Sequence, residues 1–501
     1  MRAHFAENKI AGLLLDLGQL KEDLRIREEV VSARLKYNLL KTQKEKKMSR
    51  KIYTILSLLL VAAFALSACG AKATEAPAKP AATEAPAQPA ATDAPAATEA
   101  PAEKVTVTWW HISTAENHKA EWQKEADDYM ASHPKVTIEI TVLDNEAFKT
   151  KLTTVMQSGE PPDIFQSWGG GVMNEYANAG LLKDITADLD ADGGAWRNTF
   201  ASGALGVYAY KDKNYGVPWD MGMIGFWYNK ALFKQAGIDN PPATWTEFID
   251  DVKKLKAAGI TPIALGEGDK WPGMHMWAYL VTRLGGKANF EGALLRNGSF
   301  TDGPFIEAGN KLNELIALEP FQDGFLGATY GDEATAMGNG KAAMELMGQW
   351  APAVEKDNSP DKNGIGDDLG FFPFPMVEGG KGDANDAVGG GNGFGIGKNA
   401  SPEAIDFVKF LTSAEHQATL AKLGVAIPVV KGGEAGLSDP LMIELQKTFA
   451  AAQYFQLYYD QALPPAMGSV INDSTQGIFA GTLSPEQAAQ AIEDSAAAEL
   501  K

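Results

Sequence analysis

The chain has 501 residues and a formal net charge of −19, from 45 basic and 64 acidic side chains. Such a balance repels polyanions and excludes nucleic acid as a partner. Cys69 is the only cysteine, which excludes a disulfide framework and thiolate metal sites, and the length supplies enough core for two domains.

Residues 1–47 are basic and leucine-containing, carry no export pattern, and read as an upstream extension, with Met48 the start of the protein proper. Arg50 and Lys51 then precede the apolar run Ile52 to Ala65 and a group of small residues. This is the layout of a secretory signal, placed at 48–68. With Thr54 and Ser57 inside it, the run is marginal for a lasting span of roughly 20 residues. Leu66-Ser67-Ala68-Cys69 resembles the bacterial lipobox, which implies cleavage before Cys69 and diacylation of its thiol. Two acyl chains meet the requirement for stable anchoring that a single chain misses. The address is therefore the outer face of the cytoplasmic membrane.

Residues 69–103 hold the lipidation site and the repeats TEAPAKPAA, TEAPAQPAA and TDAPAA. That composition cannot bury apolar surface and predicts an extended, disordered stalk, up to roughly 100 Å long. A globular body starts at Lys104. Val105 to Trp110 alternates as a strand, and Ser113 to Glu116 has the spacing of a capping box before a helix with Trp122, Ala126, Tyr129 and Met130 on one face. Val136 to Val142 reads as a second strand, 146–157 as a helix and Ile164 to Ser167 as a third strand. Thr244 with Glu247, Ser401-Pro402 and Ser484-Pro485 mark further helix starts. Strands alternating with helices predict an α/β fold.

Catalytic constellations are missing. The chain has no Gly-x-Ser-x-Gly elbow and no phosphate loop, and Gly389 to Gly397 fits GxGxxG in no register. Asp188 to Gly193 opens like a calcium loop, but Thr199 stands where the closing glutamate belongs. The histidines lack metal-ligand spacing. No catalytic residue, metal or cofactor is therefore assigned. Tryptophan is the stronger signal: all 11 lie between Trp109 and Trp350, several beside glycine, proline or a hydrogen-bonding residue. An indole face suits the C–H side of a pyranose while neighbouring polar groups pair with its hydroxyls. Trp109, Trp122, Trp227 and Trp245 read better as core.

Several motifs in order then resemble the extracellular solute-binding proteins of ABC importers, the maltose-binding-protein-like group that takes sugars and oligosaccharides. They are Ser158-Gly-Glu-Pro-Pro-Asp-Ile164, Tyr215 to Pro218, Phe226 to Lys230, Pro242 to Glu247, Gly338 to Met344 with Gly348-Gln-Trp350, and Ala404 to Gln417. The resemblance spans 104–501. It implies a two-lobed periplasmic-binding-protein-like fold (type II), each lobe a mainly parallel sheet flanked by helices, joined by a multi-strand hinge. The expected lobes are 104–222 with 392–428, and 223–391 with 429–501, with crossings near Met221 to Gly225, Gly389 to Gly393 and Val425 to Val429. Carried over motif by motif, the ligand-binding candidates are Trp110, His111, Gln166, Trp168, Trp219, Asp220, Trp271, Trp350, Asn392 and Asp460. The implied function is non-catalytic capture of a carbohydrate by a monomer that delivers it to membrane permease subunits and touches the membrane only through its lipid. The scarcity of arginine after the signal favours a neutral sugar over an anionic solute. A polyol or glycerophosphodiester, or a secreted glycan-degrading enzyme, are the competing readings.

Overall fold

The computed structural model describes residues 104–500. The upstream segment, the signal, Cys69 and the repeats up to 103 lie outside the described residues. Among the described residues twelve strands run in chain order: β1 (Val105–His111), β2 (Val136–Val142), β3 (Ile164–Ser167), the short pair β4 (Ala209–Tyr210) and β5 (Lys213–Asn214), β6 (Gly216–Met223), β7 (Gly225–Asn229), β8 (Thr261–Ile263), β9 (Ala342–Met347), β10 (Leu369–Phe372), β11 (Ala387–Ile396) and β12 (Phe455–Leu457).

These strands build two larger sheets. The first has the order β12-β11-β3-β1-β2, with β6 on the other edge of β11; the second has the order β10-β7-β9-β8. Helices between the strands cover them. Glu116–Ser132 links β1 to β2, Asn145–Ser158 links β2 to β3, and Trp245–Ala257 links β7 to β8. Asp144 caps the second of these, and Thr244 with Glu247 forms the full capping box of the third. Ser401 and Ser484 cap helices whose first turn holds proline, as their sequence signatures predict.

The α/β two-lobed architecture stands, and its sheets are mixed in strand direction. In the first sheet β1 pairs in parallel with β2 and β3, but β11 runs antiparallel to β3 and β6. In the second, β8 and β9 are parallel while β7 runs against both β9 and β10. The reversed strands have a common cause. β7 is the continuation of β6 after the single residue Ile224, and β11 brings the chain back, so each carries the direction of a crossing rather than of a strand–helix–strand unit.

One correction concerns the helix Glu116–Ser132. Its N-cap is Ala115, which has no side-chain acceptor. Ser113 lies two residues too early and instead accepts from Trp122 Nε1 at 3.0 Å. Hydrophobic burial divides along the crossings. One core holds Val107, Trp109 and Trp122 through Met221, then Phe394 through Val430; the other holds Ile224 through Val388, then Tyr458 through Ala496. Trp109, Trp122, Trp227 and Trp245 are each at most 1% exposed, so they are core residues.

Candidate functional site

Between the two cores lies a cleft of about 840 Å³. The first lobe contributes the β1 exit from Ile112 to Glu116, His118, the turn Asp144 to Glu146, Lys149, Trp168, Trp219 and Asn392. The second contributes Asp269, Trp271, His275, Tyr330, Trp350, Asp357, Tyr458, Asp460 and Gln461. Its floor is the crossing itself. β6 and β11 pair from Gly216–Gly395 to Met223–Gly389, with a register shift at Asn392/Gly393, and the Met221 amide donates to the Ile427 carbonyl at 3.2 Å.

Asp220 knots these segments together. Its carboxylate accepts from Gln349 Nε2 at 2.5 Å, Asn392 Nδ2 at 2.9 Å and the Ile427 amide at 2.7 Å, and Gln166 Nε2 reaches Asn392 Oδ1 at 2.8 Å. Burial lifts the Asp220 carboxyl to about 6, against the downward pull of these donors. The glycines here serve close packing: a Cβ on Gly390 would lie 2.1 Å from the Tyr458 ring, and one on Gly393 2.4 Å from Tyr208. Neither has a positive φ.

The ten residues read from sequence therefore fall into two groups. Trp168, Trp219, Trp271, Trp350, Asn392 and Asp460 line the cleft. Trp110, His111, Gln166 and Asp220 stand outside its wall. Trp110 lies under the Lys151 ammonium, 4.3 Å from its ring. His111 is 3% exposed, and its Nδ1 accepts from the Ser113 amide at 3.2 Å. Gln166 and Asp220 meet Asn392 from behind.

Three tryptophans are set by short-range geometry. Trp271 opens the helix Trp271–Leu294, ahead of Pro272, and its ring lies 5.3 Å from His275 and 5.2 Å from Tyr330. Trp350 precedes the helix Ala351–Asp357 and packs over Gly348, where a Cβ would lie 2.1 Å from the ring. Trp168 follows β3 and stands edge-on to Phe148 at 5.9 Å.

Sequence reasoning missed several polar residues of the wall. His118 Nε2, Asn145 Oδ1, His275 Nδ1, Tyr458 OH and Gln461 Oε1 are buried without a protein hydrogen-bond partner, as is Nε1 of the already expected Trp271. Desolvation lowers both His118 and His275 to about 3, so their rings are neutral at ordinary pH and each can donate and accept. Nothing local in the sequence marks them, because His118 comes from the first lobe and His275 from the second. Buried polar groups normally find partners, and these six wall atoms have none within the protein.

The family of bacterial extracellular solute-binding proteins matches residues 113–418. The chain belongs to that family. Among its relatives, the multiple sugar-binding protein of Streptococcus mutans is 26% identical over 376 residues, 72% of this chain and 84% of the relative. The diacetylchitobiose-binding protein of Streptomyces coelicolor is 26% identical over 310 residues, 62% of this chain and 70% of the relative. Two solved structures superpose with a TM-score of 0.73. One, from work on xylan utilization by Caldanaerobius polysaccharolyticus, is 29% identical and covers 78% of this chain and 100% of its own. The other, a chitin oligosaccharide binding protein, is 28% identical and covers 79% and 99%. This solute-binding protein is the capture component of an ABC importer and works outside the cytoplasm.

Proposed function

We propose that the chain captures a neutral oligosaccharide in the interlobe cleft and passes it intact to the permease. The observation that carries this reading is the wall itself: tryptophan rings from both lobes alternate with buried polar atoms that have no protein partner. Trp168, Trp271 and Trp350 supply stacking faces, and Trp219 closes the floor. Asn392 and Asp460 pair with hydroxyls, joined by His118, His275 and Gln461. Gln166 and Asp220 aim Asn392 from behind, and His111 holds the Ser113 loop, so these residues support the site without touching ligand. Trp110 has no such contact with the wall.

Charge narrows the ligand. The lining holds Glu116, Asp144, Glu146, Asp269, Asp357 and Asp460 against Lys149 and Lys362, with no arginine. Such a cleft opposes carboxylated or phosphorylated solutes. A volume of about 840 Å³ falls within the usual range for small-molecule sites. The sugars named for the S. mutans and S. coelicolor relatives agree with this choice of ligand class.

Trp350→Ala removes one stacking face and is expected to weaken sugar binding at least about tenfold, with an unchanged melting temperature in the absence of sugar. Equal affinity for the variant, measured by calorimetric titration, would remove Trp350 from the site. The chain acts without catalysis, as a monomer tethered through acylated Cys69. Cys69→Ala is expected to abolish fatty-acid labelling and release the protein from the membrane fraction; continued labelling would refute the anchor.

A further inference from the structure

We propose that Asp357 is a positioning residue for capture, one that caps a helix of the opposite lobe and so holds the cleft closed. The proposal rests on the cleft reading above and on one contact across it. The helix Glu116–Ser132 begins at the cleft wall without a side-chain cap of its own, since Ala115 occupies the N-cap. Its first amide, Glu116 N, donates to Asp357 Oδ2 at 2.5 Å. Glu116 belongs to the first lobe; Asp357 ends the second-lobe helix Ala351–Asp357 that follows Trp350.

A helix N-terminus exposes unpaired amides and a partial positive charge, and a carboxylate there satisfies both. Here the carboxylate comes from the other side of the cleft, so the helix gains its cap only when the lobes meet. Neighbouring groups reinforce the junction. Lys362 donates to the Asp357 carbonyl. Its charge also helps hold the Glu116 carboxyl below the usual range, after the larger effects of the Lys119 hydrogen bond and charge. Ala353, one turn before Asp357, packs against the first-lobe core. Elsewhere on the cleft wall Lys149 Nζ of the first lobe lies 3.9 Å from Asp460 Oδ2 of the second. A contact made only in the closed state shifts the equilibrium by its own free energy. Asp357 therefore couples the position of Trp350 to closure.

The test compares full-length wild type with Asp357→Ala, Asp357→Asn and the control Asp128→Ala, which lies near the far end of the same helix. Small-angle scattering of the ligand-free proteins reads the open fraction, and tryptophan fluorescence with xylotriose and N-acetylchitotriose reads affinity and release. Asp357→Ala is expected to enlarge the ligand-free radius of gyration and to weaken sugar binding about three- to tenfold through faster release. Asp357→Asn should fall between, with Asp128→Ala like wild type in both readouts. Superimposable scattering profiles and equal release rates for Asp357→Ala and wild type would overturn the proposal. If neither sugar binds wild type, the choice of ligand fails, and scattering alone still decides the latch.

Discussion

His111, His118 and His275 are each at most 7% exposed, and desolvation lowers them to about 4, 3 and 3. The unfolded chain takes up protons on them below its own value near 6.5 while the folded chain does not, so their contribution to stability is lost as pH falls through that range. Glu267, Glu333, Glu345 and Glu355 lie in the second lobe and are at most 1% exposed. Burial raises all four, and the charges of Glu355 and Glu333 add to the effect on Glu345. Their folded carboxyls keep protons that the unfolded chain releases above about 4.5, so this contribution is lost as pH rises. Above pH 7.5 these three histidines are neutral in both states, while the raised glutamates still lower stability as pH rises. The melting temperature is therefore expected to fall between pH 7 and 9, and Glu345→Gln to fall less steeply. Parallel curves for the two proteins in a calorimetric scan would contradict this assignment.

At the level of elements, legibility followed the range of the interactions involved. β1, β2, β3 and the caps at Thr244, Ser401 and Ser484 depend on a period of two or on an oxygen three residues from an amide, and a local pattern shows both. Ser113 also has the capping-box spacing, yet the chain starts its helix at Ala115 and gives that hydroxyl to Trp122. The site behaved in the same way. Motifs located the strand ends correctly, but a strand turns successive side chains to opposite faces. Trp219 therefore lines the cleft, and the next residue, Asp220, knots the crossing from behind. His118, His275 and Gln461 left no trace in sequence because their unpaired atoms become meaningful only when two lobes face each other. The direction of β7 and β11 was hidden for a related reason. It is set by the chain's passage between lobes, which no local period encodes.

For the whole molecule, two main hydrophobic cores are joined by paired crossing strands, an arrangement compatible with hinge closure. Tryptophan faces, neutral imidazoles and unpaired amide and hydroxyl atoms then meet only across the cleft, and Asp357 reaches over it to the opposite helix. Under the proposed function the ligand stabilises closure, because it would satisfy polar atoms from both lobes at once. Calorimetric titration of the full chain with a panel of xylo-, chito-, malto- and cello-oligosaccharides tests this most directly, with chromatography of the sugar afterwards. The account predicts one-to-one binding of at least one neutral member, recovered intact, and no binding of its uronic-acid counterpart. Failure of every neutral sugar to bind, or its recovery as cleaved products at catalytic rates, would contradict it.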